Sequence, residues 1–280
     1  MENNYYCLVA GLPDITVEDT KLKMSLTEFK DELQLSLLPE DKKFIDLFFL
    51  KFDNQNLLNI LLKKDSEFNP LGNFSADELE GLIKQVKADG ILADSPFPIY
   101  MQQFLLSFHE ELIPENEHDL SLALISGFYQ HAQETSNEFI ASFYEFEQNL
   151  WNVISAINCR KFEVTTEKEI IGNNEISKLL KKSSAKDFGL AHEFDLIEKL
   201  LQISEEPNLL EREKKVDTLR WEILDDDTFF HYFTIERIFA YLVKLEILER
   251  WTRMDVARGQ EEFNNIVNTL ESSFEVPAEF

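Results

Sequence analysis

Cysteine, glycine and proline are all scarce in this 280-residue chain, and each shortage narrows the range of possible folds. Cys7 and Cys159 are the only cysteines, too few for a disulfide framework or a cysteine zinc site, and this favours a reducing compartment. With 8 glycines and 8 prolines, turn signals are rare. Together with 24 phenylalanines, this favours helices over a many-stranded sandwich or barrel.

Basic residues and long apolar runs are also in short supply. The 27 lysines and arginines face 53 acidic residues, so the net charge is −26. A charge of this sign repels nucleic-acid phosphates and anionic lipids, which leaves basic proteins as the best-matched partners, although solubility alone also explains it. No stretch approaches the roughly 20 apolar residues that span a bilayer, and no positive region precedes the apolar N-terminal run. We therefore expect a cytoplasmic protein whose membrane contact is made only through another protein.

Helical periodicity, by contrast, is abundant. Residues 75–90 predict a helix that starts with a capping box of Ser75 and Glu78 and ends at Gly90. Apolar residues three and four apart continue from Leu120 to Lys161, which predicts one helix of about 40 residues and about 60 Å. We therefore expect an all-α, elongated multi-helix bundle.

The N-terminal stretch YYCLVAGL, residues 5–12, is the most strand-like part of the chain. It lacks the glycine pattern of a nucleotide-binding loop, so we interpret it as a short extended segment or a helix start packed against the bundle. The polar residues 162–190 mark a junction between two expected lobes, at residues 1–161 and 162–280, although one continuous domain is also compatible with the sequence.

Several polar clusters are weak candidates for chemistry. In DDDTF, residues 225–229, Phe229 stands where a magnesium-binding D-D-x-x-D motif needs its third aspartate. We interpret these acids as the first turn of a helix that begins near Asp227 and runs to about Ala257. A single Glu115–His118 pair has no second copy, as a di-iron site requires, and Cys159 is expected to be a buried thiol. We predict no catalytic, cofactor-binding or metal-binding residue and no enzymatic activity.

Three predicted helices share a pattern. Each begins with an acidic residue, continues with an apolar stripe that includes Asn or Tyr, and ends with basic residues. The sequences are DNQNLLNILLKK (53–64), EQNLWNVISAINCRK (147–161) and ERIFAYLVKLEILER (236–250). A diverged repeat accounts for this self-similarity, but so does the charge arrangement of any amphipathic helix that suits its own dipole.

Used three times in an all-helical chain, this pattern resembles the central-stalk subunit of V/A-type ATPases, called C in archaea and bacteria and d in eukaryotes. The closest stretch is FTIERIFAYLVKLEILERWTRM (233–254), in which these residues are similar to the family's last repeat: Glu236, Ala240, Tyr241, Leu242, Lys244, Glu246 and Arg250. The opening YYCLVAGLP also resembles the start of a small group of uncharacterised bacterial proteins of the Bacteroides type, whose genes accompany such ATPases.

The resemblance implies a non-catalytic socket of helical units. Such a subunit sits on the membrane rotor ring at the cytoplasmic face of the inner membrane and holds the foot of the axle. It transmits torque for proton or sodium transport, and its partners are the axle and ring subunits. An acidic helical adaptor that binds a basic partner is the alternative, and a helical enzyme with a buried carboxylate site is a third reading. Three similar units around a common axis would favour the rotor subunit, and an irregular bundle would favour the adaptor.

Arginines gather in the last repeat. Six residues are candidates for partner contact: Arg237, Tyr241, Lys244, Arg250, Arg253 and Arg258. Because Glu246 and Arg250, and likewise Glu249 and Arg253, are four residues apart in the favourable order, pairing within the helix is the alternative role for two of these arginines.

Overall fold

The structure, a computed structural model, describes residues 4–254. Within that range the chain forms twelve α-helices and no strand, so the predicted all-α multi-helix bundle is confirmed. The helices are α1 Tyr6–Gly11, α2 Leu26–Ser36, α3 Pro39–Leu61, α4 Ala76–Asp89, α5 Ile99–His109, α6 Glu117–Gln133, α7 Glu138–Lys161, α8 Thr166–Glu169, α9 Glu175–Lys182, α10 Ile197–Ser204, α11 Leu209–Asp227 and α12 Ile235–Arg253.

The long helix predicted from Leu120 to Lys161 is wrong as a single element. Helix α6 ends at Gln133, and α7 begins after Asn137, whose side chain accepts a hydrogen bond from the backbone N–H of Ile140 at 3.0 Å. An asparagine at this position satisfies an N–H group that the helix itself leaves unpaired, and so it starts a new helix. The apolar spacing continues across the break because both helices turn an apolar face to the same core.

The N-terminal segment is helical, which corrects the expectation of an extended segment and agrees with the other interpretation, a helix start. Helix α1 packs Leu8 into the core, and Tyr5, just before it, donates its backbone N–H to the carbonyl of Phe233 at 2.6 Å. The Tyr5 hydroxyl also donates to Asp41. This short segment therefore joins the start of α3 to the connection between α11 and α12.

Asp225–Asp227 form the last turn of α11, not the first turn of the last helix, and that prediction is wrong. The last helix instead begins at Ile235, after Thr234. Acids at a helix C-terminus oppose the helix dipole, and Asp225 is compensated by an ion pair with Lys244 of α12. Helix α12 ends at Arg253, with Met254 as its C-cap, and so stops short of the predicted end near Ala257. Ala257 and Arg258 lie outside the described residues.

Other local predictions are confirmed. Ser75 and Glu78 form the capping box of α4, and Gly90 ends that helix with a positive φ of 76°. Cys159 is buried, and burial raises the pKa of its thiol. Between residues 4 and 254, no helix combines the length and apolar character that crossing a bilayer requires.

The apolar side chains form two clusters. The larger one joins α1–α7 to the end of α11 and to α12. The smaller one joins the C-terminal half of α7, from Leu150 to Ala156, to residues between Ile170 and Leu219. Helix α7 therefore contributes to both cores, and the lobe boundary at residue 161 stays a prediction.

Candidate functional site

Helices α3, α7 and α12, which carry the three similar sequences, run in the same direction. Near their N-terminal ends, Lys43 of α3 donates to Ser136 just before α7, and Asn137 donates to Glu236 of α12 at 2.5 Å. Further along all three helices, Phe239 of α12 packs against Phe48 of α3. Further still, Lys51 of α3 pairs with Glu246 of α12. Contacts that advance together along each helix identify a parallel arrangement.

An aromatic layer joins the three helices. The ring of Phe239 lies 6.3 Å from that of Phe48, 5.4 Å from that of Phe143 and 5.9 Å from that of Tyr144. All of these pairs are edge-to-face, the geometry that aromatic quadrupoles prefer, and each is worth about 0.5–1.5 kcal/mol beyond its buried area. Such packing fixes the spacing of the helices and gives a stiff interior.

A layer of charged side chains follows the aromatic layer. Arg220 of α11 binds Glu147 of α7 through two parallel hydrogen bonds of 2.6 and 2.9 Å and also donates to Asp217 at 3.0 Å. Burial by itself lowers the pKa of Arg220, but the Glu147 carboxylate raises it overall. Burial also lowers the pKa of Lys51, which Glu246 partly offsets. Removing one partner of a buried pair typically costs about 3–5 kcal/mol, because the other charge is left uncompensated.

A cavity of about 350 Å³ lies within this charged layer. All three parallel helices line it, together with α6 and α11, and its charged groups are Lys51, Glu147, Arg220, Glu246 and Arg250. Ile125 of α6 and Arg250 are exposed to solvent, so the cavity opens at the surface. It can receive a side chain or helix end that carries charges of both signs, because its own charges are mixed.

Tyr129 and Tyr144 add two phenol groups to the cavity wall. Burial raises the pKa of both well above the ordinary range, so both remain neutral donors at physiological pH. Among the described residues, no group of His, Cys, Asp or Glu is placed to hold a metal ion.

Beyond the cavity, each parallel helix holds the start of another helix through a buried polar side chain. On α3, Asp53 is fully buried and accepts the backbone N–H groups of Asn73 and Phe74 at 2.9 and 3.0 Å, just before the Ser75 cap of α4. On α7, Asn149 accepts from the side chain of Asn174, the cap of α9, at 2.8 Å.

A related contact occurs on α12, where Glu249 accepts the backbone N–H of Leu26 at 2.7 Å, directly after the Ser25 cap of α2. The donor is a backbone N–H here, as for Asp53, and a side-chain amide only for Asn149. We call Asp53, Asn149 and Glu249 the latch residues. The third latch therefore joins α2 to α12, the last helix of the described residues.

The first two latches share a further contact three residues on. Asn56 of α3 exchanges two hydrogen bonds with the backbone of Asn69, at 2.8 and 2.9 Å. Asn152 of α7 makes the same pair of bonds with the backbone of Ile171, at 3.0 and 2.8 Å. These two helices therefore share a pair of contacts in which Asp53 corresponds to Asn149 and Asn56 to Asn152. The sequence pattern instead pairs Asp53 with Glu147, so the contacts do not follow the register of the predicted repeat, and the repeat stays a prediction.

The partner-contact candidates fall in different places. Arg237, Tyr241 and Lys244 line a groove of about 150 Å³ against residues 9–15. Tyr241 there donates to the carbonyl of Pro13 at 3.1 Å, so its hydroxyl already serves the fold. Burial lowers the pKa of Lys244, and its partner Asp225 partly offsets this.

Of the candidates that fall within residues 4–254, Arg250 alone lines the central cavity. Its expected pairing with Glu246 is wrong, because Glu246 binds Lys51 while Arg250 binds Asp217. The other expected pair, Glu249 with Arg253, is confirmed.

Sequence reasoning missed the Glu147–Arg220 pair and all three latch roles. Glu147 was visible only as the first acid of a repeat, and its partner is 73 residues away. A buried acid on an apolar helix face is the signal that could have singled out Glu147 and Glu249, since such groups are paired when they are buried.

Comparison with known proteins gives one result. No curated protein and no solved structure matches the chain. Residues 1–274 match a family described as "Protein of unknown function (DUF2764)", and the chain belongs to that family.

Proposed function

We propose that this protein is the central-stalk subunit of a V/A-type rotary ATPase. In this role it joins the axle to the membrane rotor ring and transmits torque without catalysing a reaction. It works at the cytoplasmic face of the membrane, which it contacts through the ring subunits. The observation that carries the proposal is the set of three parallel helices around one open, charged cavity.

Two further features support this proposal. The parallel helices are locked by aromatic and ionic layers, and stiffness is what torque transmission requires. Each of α3, α7 and α12 also holds the start of another helix through its latch residue. This similar role of the three helices favours a socket of similar units over an irregular adaptor. In this assignment the foot of the axle enters the cavity.

The test is co-purification of the full chain with the axle subunits of the ATPase from its own cell. Ile125→Arg places a charged side chain at the mouth of the cavity and is expected to reduce the recovered axle at least tenfold. Ile91→Arg is the matched control, since Ile91 is similarly exposed, at 42% against 37% for Ile125, and does not line the cavity. Equal recovery with both variants, or purified axle and ring that never contain this chain, would overturn the proposal.

The acidic adaptor is the alternative outcome of the same experiment. Recovery of one basic protein in place of ATPase subunits would favour it.

A further inference from the structure

Four exposed aromatic side chains lie at the end of the molecule where α3, α7 and α12 begin, and two of them, Phe229 and Phe230, have ring centroids 4.9 Å apart. They are Tyr6, Phe229, Phe230 and Tyr232, with 58, 65, 79 and 62% of their surface exposed, and we call them the aromatic patch. Large aromatic side chains clustered at this exposure mark interaction surfaces, because leaving them in water forgoes much of their burial energy.

The patch is held in a defined shape. Thr228 donates its hydroxyl to the carbonyl of Leu224 at 2.5 Å and accepts from Arg237 at 3.2 Å. Backbone bonds from Phe229 to Asp226 and from His231 to Thr228 close the turn. On the α1 side, the ring of Tyr6 packs 4.7 Å from that of Phe233. A surface ordered before binding loses little conformational entropy when a partner binds.

The acidic residues beside the aromatic patch indicate which kind of partner it binds. Asp225, Asp226 and Asp227 precede Phe229 with only Thr228 between them, and Asp226 and Asp227 are exposed. Burial, and then the neighbouring Asp226, raises the pKa of Asp227. The basic side chains at this turn already have partners: Arg237 is bonded to Thr228, Lys244 is paired with Asp225, and His231 lies 3.6 Å from Glu236. Asp226 and Asp227 are therefore the acids that face a partner.

Other occupants fit this charge less well. A second copy of the chain in a symmetric contact would bring the same aspartates together, and like charges at an interface are unfavourable. An anionic lipid surface or a nucleic acid would meet the same repulsion. A partner with lysine or arginine side chains is attracted by the aspartates and can place those cations over the aromatic rings.

We propose that the aromatic patch is a docking site for a basic segment of a partner protein, with Phe229 and Phe230 as its apolar anchors. The patch and the central cavity share no residue, so this site is separate from the one assigned to the axle. It holds whether or not the protein is a rotor subunit.

Photo-crosslinking in the cells that make the protein tests this directly. Phe230 in the full chain is replaced by p-benzoylphenylalanine, and the crosslinked partner peptide is sequenced. The control carries the same replacement at Phe162, which is 68% exposed at the other end of α7. We expect an adduct specific to position 230 whose partner peptide contains at least two lysines or arginines.

A charge-reversal variant tests whether the aspartates beside the aromatic patch attract the partner. Asp226→Lys with Asp227→Lys is expected to reduce the adduct yield at least fivefold while leaving the circular dichroism spectrum unchanged. The inference is overturned by adducts with lipid or a second copy, by a pattern equal to that at position 162, or by the absence of an adduct. The Ile125→Arg experiment changes only the central cavity, and the crosslinking experiment probes only the aromatic patch. Failure of the proposed function and failure of this docking site can therefore be told apart.

Discussion

At the residue scale, Asp53 is the most informative side chain of the chain. It is fully buried, yet it accepts hydrogen bonds from the backbone of Asn73 and Phe74 and from the side chain of Asn73. Burial disfavours its charged form more than these donors favour it, so the pKa of Asp53 is raised from 3.8 to about 6. The carboxyl therefore changes its charge within the physiological range.

This raised pKa predicts a pH dependence of stability. A carboxyl whose pKa is higher in the folded state binds more protons there, so its contribution to stability is fully present below about pH 3.8 and is lost as the pH rises through about 6. Asp53→Asn removes the titration. We expect the cost of this substitution, measured by urea unfolding, to be largest near pH 4 and to fall by up to about 3 kcal/mol by pH 7.

Asp77→Asn serves as the control, because Asp77 is an exposed residue of the adjoining α4. It should show no comparable trend. A cost for Asp53→Asn that stays constant or grows with pH would mean that the hydrogen bonds outweigh burial and would contradict the prediction.

The chemistry of single residues was only partly predictable from the sequence. Cys159 was correctly expected to be buried, because its helix face is apolar. The partners of Asp53 lie 20 and 21 residues away, and the partner of Glu249 lies 223 residues away. No periodicity reports contacts over such separations, so the sequence could suggest a repeat but could not identify its equivalent residues.

At the scale of elements, a capping motif predicted a helix boundary correctly, whereas a long apolar period did not. The capping box at Ser75 is a contact between residues three apart, and it was found correctly. The apolar spacing from Leu120 to Lys161 was continuous, and it concealed the boundary that Asn137 makes. Asn137 was readable as a cap, but an unbroken apolar period outweighed one polar residue.

The loop after α7 predicts a test at the same scale. Gly172 has a φ of 78°, and a β-carbon there would lie 1.9 Å from the side-chain nitrogen of Gln148. That side chain donates to the carbonyl of Ile171 at 3.1 Å, so a clash at Gly172 would displace the loop that Asn152 also binds. We expect Gly172→Ala to lower the free energy of unfolding by about 2 kcal/mol or more, measured in urea.

Gly81 provides the opposite case within the same chain. It lies in α4, and a β-carbon there would meet no atom within 4 Å. Gly81→Ala should therefore stabilise the protein by about 0.5–1 kcal/mol, because alanine loses less backbone freedom in a helix. If both substitutions had the same effect, the loop geometry would not be the cause.

At the scale of the whole molecule, the latches connect helices that are far apart in the sequence as well as neighbouring ones. Helix α3 holds the start of α4, and α7 holds the start of α9, so both of these latches bind a helix that comes later in the sequence. Helix α12 holds α2, which comes first of these in the sequence. The contacts of α12 with both α3 and α7 place these three helices around one cavity, and the third latch ties α2 to the last described helix.

If the latches are equivalent, breaking each one should loosen only the helix that it holds. We expect Asp53→Ala, Asn149→Ala and Glu249→Ala to speed amide hydrogen exchange at the start of α4, α9 and α2 respectively. A hydrogen bond to a charged group is worth about 1.5–3 kcal/mol, so the increase for the two acids should be about tenfold or more, and that for Asn149 smaller. Glu145→Ala, an exposed acid on α7, is the control and should leave all three helices unchanged. Faster exchange spread evenly over the chain would instead describe one cooperative bundle, in which the latches stabilise the whole and the three units have no separate identity.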